Sequence, residues 1–195
     1  GAAPEPIARW TPSSSAVAPG MIASALAARW SPAYIGVGSN LDDPVAQVLG
    51  AMAACARVPQ SLVVSYSRLY VSRPFGPIEQ GDFVNAALGM LTQLTPEALL
   101  RELRALESAL GRSSSRERWG PRVIDLDLLV FGRERRAATD LILPHPGIAE
   151  RDFVLFPLGE IAPQLDIVEL GRVSDLLGRV TNRGIQIHCE TAAVA

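Results

Sequence analysis

The chain has 195 residues, 48% of them hydrophobic and 19% charged, and a formal net charge of −2. That length suits one domain with a real core. The slightly acidic balance argues against a general nucleic-acid coat, and two cysteines, Cys55 and Cys189, are too few for a disulfide scaffold or a zinc ribbon. No apolar run reaches the ~18 residues that span a bilayer. All 18 basic residues are arginine, whose planar fork fits phosphate and carboxylate oxygens.

Residues 1–32 are rich in Ala, Pro and Ser without periodicity, and read as a disordered extension. Its apolar piece is followed, not preceded, by Arg29, the wrong layout for a secretory signal. Order is expected from Ala33. Tyr34 to Gly38 is a short apolar strand that ends in the turn signal Gly38-Ser39-Asn40. Asp42-Asp43-Pro44 opens a helix, with Val45, Val48, Leu49, Met52, Cys55 and Ala56 at helical spacing. Leu62 to Val71 and Phe83 to Leu91 read as strands, separated by the loop Ser72-Arg73-Pro74-Phe75-Gly76-Pro77. Thr95-Pro96-Glu97 starts a second helix, buried through Leu99, Leu103, Leu106 and Leu110 and stopped by Gly111. After a polar loop comes the strand Val123 to Phe131, and residues 141–163 mix a short strand with a Pro-punctuated helix. The order β-α-β-β-α-β predicts an α+β, ferredoxin-like split βαβ fold, an antiparallel sheet with helices packed on one face. Residues 33–170 form this domain and 171–195 a C-terminal appendage.

Chemistry concentrates in Arg118-Trp119-Gly120-Pro121-Arg122-Val123-Ile124-Asp125-Leu126-Asp127-Leu128-Leu129. Alternate strand residues share a face, so Ile124, Leu126, Leu128 and Val130 should point into the core beneath the helices. Asp125 and Asp127 then point the other way, roughly 7 Å apart by the strand rise. Either a divalent cation held between them or a solvated outer face accounts for that alternation. Four arginines beside them, Arg112, Arg116, Arg118 and Arg122, favour the first, because acids can hold a cation such as Mg²⁺ while arginines take an oxyanion.

The stretch Arg118-Trp119-Gly120-Pro121-Arg122-x-x-Asp125-Leu126-Asp127-Leu128-Leu129 resembles the signature of the 6-hydroxymethyl-7,8-dihydropterin pyrophosphokinases, enzymes of folate biosynthesis. The likeness extends to Tyr34-Ile35-Gly36-Val37-Gly38-Ser39-Asn40-Leu41, to Arg73-Pro74-Phe75-Gly76-Pro77, and to Phe83-Val84-Asn85-Ala86-Ala87. It continues at Leu143-Pro144-His145-Pro146 and at Arg151-Asp152-Phe153-Val154-Leu155-Phe156-Pro157-Leu158, so it covers about residues 33–163. Ser113-Ser114-Ser115, Arg104 and Phe83 depart from the residues most often found in such enzymes.

The resemblance implies a ferredoxin-like enzyme that transfers pyrophosphate from ATP to the pterin hydroxymethyl oxygen and releases AMP. It implies that Asp125 and Asp127 hold two Mg²⁺ ions, and that Arg112 and Arg122 steady the transferred group. ATP would be contacted by Arg104, Glu107, Arg112, Arg118, Arg122, Leu128, His145 and Arg151. The pterin would be stacked between Phe83 and Phe153 and read by Asn85, with Ser72, Phe75 and Trp119 completing its pocket. Such an enzyme is expected to be a cytoplasmic monomer whose partners are two small molecules, with neither nucleic acid nor membrane. Two other classes share parts of the pattern. An RNA-binding sheet would need exposed aromatics and a basic face where Asp125 and Asp127 stand, and a metal-dependent phosphohydrolase could use the same two acids to activate water.

Overall fold

The computed structural model describes residues 29–74, 78–111 and 121–189. The first strand, β1 (Ser31–Ser39), begins at Ser31 rather than at the expected Ala33. It leads to helix α1 (Pro44–Cys55), whose first turn is closed by Asp43 Oδ1 accepting the Ala46 N–H at 3.1 Å, with Pro44 at the first helical position. The predicted strand 62–71 is two pieces, β2 (Ser61–Tyr66) and β3 (Leu69–Ser72). They part at Ser67, whose hydroxyl accepts the Ala87 N–H at 2.8 Å and so interrupts the ladder without stranding a donor. Both pieces pair with β4 (Phe83–Thr92).

Helix α2 (Pro96–Ala109) starts on Thr95 Oγ1, which accepts the Ala98 N–H, and stops at Gly111, whose φ of +93° suits a residue without a Cβ. Strand β5 (Asp125–Phe131) follows, then the small ladder β6 (Arg136–Ala137) with β7 (Ile142–Leu143). Helix α3 (Asp152–Ile161) carries Pro157 inside it. The ladder β8 (Asp166–Ile167) with β9 (Gly171–Arg172), the short helix α4 (Val173–Leu177) and strand β10 (Gln186–Cys189) complete the described chain.

The main sheet is antiparallel in the order β10-β3-β4-β1-β5, with β2 beside β4 as well. Inserting β4 between β1 and the strand that follows α1 is the split βαβ arrangement expected from the sequence. Helices α1 and α2 cover one face. Their core joins Val48, Met52, Cys55, Leu99 and Leu103 to Ile35, Val37, Leu88, Leu126 and Leu128 of the sheet. Leu103 is fully buried there, so Leu103→Ala should cost about 3 kcal/mol in urea unfolding, the usual toll for a leucine cavity in a close-packed core; a loss under about 1 kcal/mol would mean that this core collapses around the gap.

The other face is covered by α3 and α4, over a second core that includes Leu129, Val130, Ile148, Leu155, Leu158 and Ile167. Val130 is a correction, since strict alternation puts it beneath α1 and α2 with Leu128. Tyr34 pairs with Val130 and Ile35 with Leu128, which leaves Leu129 as an extra residue in β5. This bulge flips the parity, so Phe131 enters the first core while Leu129 and Val130 face the second.

Candidate functional site

The second face of the sheet, beyond the edge of its core, carries the chemistry. Along β4, Val84, Ala86, Leu88 and Met90 face α1 and α2, so Phe83, Asn85 and Ala87 face the other way. Gly36 and Gly38 of β1 lie between two loaded strands on this face. In register, Gly38 stands between Asn85 on β4 and Asp125 on β5, and Gly36 stands between Ala87 and Asp127. A Cβ at Gly38 would come within 3.3 Å of Asn85 Oδ1, and one at Gly36 within 3.4 Å of Leu129 Cδ2. The two glycines therefore make a shallow floor, walled by an amide on one side and two carboxylates on the other.

Asp125 and Asp127 are both partly buried, and they share this face as their spacing predicts. Burial and the neighbouring Asp125 charge raise the Asp127 carboxyl well above the ordinary carboxylate range, and the guanidiniums of Arg151 and Arg122 offset this only in part. Arg122 makes an ion pair with Asp125 through Nη1 and Oδ2. Its backbone is held by the end of β1: the Arg122 N–H donates to Asn40 Oδ1 at 2.8 Å, and the Asn40 N–H donates back to Arg122 O at 3.1 Å. Asn40 also donates from Nδ2 to Gln80 Oε1 at 2.8 Å and to Gly81 O at 3.3 Å. A single buried amide thus ties the stretch before β5 to the stretch before β4. Sequence reasoning took Asn40 only as a turn residue, and its spacing carries no further signal.

Strand β5 is the sheet's edge, and a cleft of about 290 Å³ runs along it. Its walls include Arg104 and Glu107 of α2, Arg122, Asp125, Asp127, Leu128, and His145 with Pro146. Glu107 is 5% exposed and accepts the edge N–H of Leu126 through Oε1 at 2.7 Å, fastening α2 to the strand between the two aspartates. Arg104 reaches across the cleft to donate to Asp140 O at 3.1 Å. Leu128 also lines the cleft, although the residue is only 3% exposed. His145 Nδ1 accepts the Gly147 N–H at 3.2 Å, which leaves Nε2 as the donor of a neutral ring. Arg151, at the N-terminus of α3, lies against Gly147, where a Cβ would stand 2.5 Å from its Nε, and its guanidinium carbon is 5.9 Å from the centre of the Phe153 ring. On the floor, Asn85 Nδ2 donates to Ser72 Oγ at 2.9 Å, both residues buried, and Phe83 is the register partner of Ser72.

Carboxylates, four cationic or hydrogen-bonding side chains and a flat amide-lined floor suit a polyphosphate beside a planar ring. The family model described as 7,8-dihydro-6-hydroxymethylpterin-pyrophosphokinase (HPPK) matches residues 34–163. The chain belongs to the HPPK family. The Methylorubrum extorquens 2-amino-4-hydroxy-6-hydroxymethyldihydropteridine pyrophosphokinase is 42% identical over 154 residues, 79% of this chain and 96% of that protein. The enzymes of the same name from Pseudomonas aeruginosa and Bacillus subtilis are 39% and 42% identical, covering 78% and 69% of this chain and 94% and 80% of theirs. Among solved structures, the Plasmodium falciparum HPPK-DHPS with pteroate superposes with a TM-score of 0.60 at 12% identity, over 77% of this chain and 42% of that one. That likeness speaks for the fold, and this chain spans less than half of the longer protein.

Of the site residues expected from sequence, the cleft along β5 gathers Arg104, Glu107, Arg122, Asp125, Asp127, Leu128 and His145. Ser72, Phe83 and Asn85 share the floor beside it, with Arg151 and Phe153 on the helix that covers this face. Phe75, Arg112, Arg118 and Trp119 lie outside the described residues. Among those described, no helix is long and apolar enough to cross a membrane.

His145 also bears on stability. Burial, with the Arg151 charge, lowers its pKa to about 4, whereas an unfolded histidine titrates near 6.5. Between those values the unfolded chain binds a proton that the folded chain refuses. The stabilisation is complete above pH 6.5 and is lost as pH falls toward 4. Allowing for partial exposure of the ring, the wild-type advantage over His145→Gln should shrink by about 2 kcal/mol between pH 7 and pH 4.5. Urea unfolding of both proteins at the two pH values checks this, and an unchanged difference refutes it.

Proposed function

We propose that the cleft along β5 and the glycine floor beside it form one active site, in which ATP and the pterin meet over Asp125 and Asp127. Family membership makes the chain an ATP-dependent pyrophosphokinase, which transfers pyrophosphate from ATP to 6-hydroxymethyl-7,8-dihydropterin in folate biosynthesis. The register carries the reading. Asn85 and Asp125 flank the same glycine, about 10 Å apart by two strand spacings, so a ring read by Asn85 would present its hydroxymethyl arm near the carboxylates.

The donor set suits a hard cation. Two carboxylates, one of them raised in proton affinity by burial beside the other, match Mg²⁺, which commonly takes one or two protein carboxylates and completes its shell with water and phosphate oxygens. Asp125 and Asp127 would hold two such ions, which when bound supply charge neutralisation to the triphosphate and the attacking oxygen. The remaining work is positioning. Arg122, fixed by Asn40, lays its guanidinium on Asp125, beside which phosphate oxygens would lie. His145 donates from Nε2, Arg151 adds a cation facing Asp127, and Arg104 with Glu107 closes the α2 wall. Phe83 and Phe153 would hold the pterin ring, while Ser72 orients the Asn85 amide. No side chain here is assigned a proton-transfer role, since Arg stays protonated and Asp127 would be engaged with a cation. With two small-molecule substrates and a formal net charge of −2, the chain is read as a cytoplasmic monomer without nucleic-acid or membrane partners.

Incubation with ATP, Mg²⁺ and the hydroxymethyl pterin tests the reading. AMP should form in step with pyrophosphorylated pterin. ATP hydrolysis independent of pterin would point to a phosphohydrolase instead, and no turnover of either kind would sink the proposal.

A further inference from the structure

Beyond the region matched by the family model, residues 182–189 make two attachments that converge on the site. The first is to α3. Asp152, the first residue of that helix, is 3% exposed, and its carboxylate is divided between two backbone donors. Oδ1 accepts the Phe153 N–H at 2.9 Å, and Oδ2 accepts the Arg183 N–H at 2.7 Å. The Arg183 amide is presented by a local turn, in which Asn182 Oδ1 accepts the N–H groups of Gly184 at 2.8 Å and Ile185 at 3.2 Å. The second attachment is to the sheet. Ile185 is buried, and β10 then pairs with β3, Gln186 opposite Val71 and Ile187 opposite Tyr70. Strand β3 in turn places Tyr70 opposite Asn85 and Ser72 opposite Phe83.

Asp152 sits between Arg151 and Phe153 in sequence, and its two oxygens bind one neighbour's amide and one amide from the C-terminal segment. A buried carboxylate accepting two N–H bonds is a strong, directional tie, and it leaves an unmet donor if either bond is lost. The first turn of a helix is also where backbone amides lack partners within the helix. We infer that Asp152 is a positioning residue, which docks the 182–189 segment against the start of α3 and thereby holds Arg151 and Phe153 in place for ATP and pterin. This rests on the reading of Arg151 and Phe153 given above. The tie holds groups placed to contact the substrates rather than the carboxylates of β5 themselves, so it should govern affinity more than the chemical step.

Asp152→Asn replaces one acceptor oxygen with a donor that faces an N–H group. Asn182→Ala leaves the carboxylate intact and removes the turn that presents Arg183, and its exposed position makes it the milder change. Each variant, and the double variant, is compared with wild type by steady-state kinetics in both substrates, by amide exchange, and by thermal unfolding. Each single change should raise KM for ATP and for pterin roughly tenfold, as for one lost charge-assisted hydrogen bond, with kcat within about twofold. Exchange at Phe153, Arg183 and Ile187 should quicken, and the double variant should be little worse than either single one, as expected for two parts of one tie. If Asn182→Ala speeds exchange at Arg183 and leaves both KM values unchanged, the segment is merely structural and the inference falls. Arg151→Ala and Phe153→Ala separate the two levels. Should these leave KM untouched, the reading of the site fails and takes the positioning role with it. Should they raise KM while the Asp152 and Asn182 variants do not, only the positioning role is lost.

Discussion

Asp127→Asn is expected to abolish pyrophosphoryl transfer, by at least about a thousandfold, while leaving the protein as stable as before or slightly more so. A thousandfold is about 4 kcal/mol of transition-state stabilisation, in line with the loss of a ligand to a charge-neutralising cation. Stability should move the other way, because Asp127 is partly buried and pressed by the Asp125 charge, and an amide of the same shape removes that repulsion. Opposed effects on activity and stability are the mark of a residue kept for function. Asp125→Asn should be equally inactive but less favourable to folding, since it also breaks the ion pair with Arg122. AMP release at saturating Mg²⁺ and thermal unfolding of both variants are the measurements. Activity above a tenth of wild type in either would remove the carboxylates from the reaction.

The two aspartates were legible in the sequence because strand alternation is local: no bulge falls between Asp125 and Asp127, so they share a face. The caps at Asp43 and Thr95 and the leucine face of α2 were legible for the same reason, each being settled within one turn of helix. Val130 was not. Its side is decided by the bulge at Leu129, which exists only because Tyr34 and Ile35 take the partners they do on a strand some 95 residues away in sequence, and no local pattern marks that register shift. The break at Ser67 escaped for a similar reason, since its hydroxyl answers to Ala87.

The candidate site divides along the same line. Glu107, Phe83 and Asn85, which the family resemblance singles out, lie on regular elements, Glu107 on α2 and Phe83 with Asn85 on β4. What stayed hidden were the groups that fasten one segment to another. Asn40 joins residues 80–81 to Arg122, and Asp152 joins α3 to residue 183, each through one side chain acting across dozens of residues. An asparagine after a strand and an aspartate at a helix start have ordinary local explanations, so nothing in the sequence singled them out. The 182–189 segment lies in the stretch 171–195 that the sequence marks only as an appendage; the sheet gains its outer strand from it nonetheless.

Arg122→Ala is the second change with a large expected effect, and it should weaken ATP binding and turnover together. The Arg122 backbone is clamped from both sides by Asn40, and its guanidinium already lies on Asp125, so the fork is oriented before a triphosphate arrives. Preorganised charge of this kind acts in the bound ground state and strengthens as negative charge shifts during transfer. The variant should lose about tenfold in affinity for an unreactive ATP analogue and a further hundredfold in the single-turnover rate, sizes typical of removing one aimed donor and its charge. Arg122→Lys keeps the charge but not the two-pronged geometry, so it should recover affinity better than rate. Equilibrium titration and single-turnover kinetics on both variants decide the matter. If Arg122→Ala binds the analogue as tightly as wild type, Arg122 engages only during transfer, and its anchoring by Asn40 serves the chemical step alone.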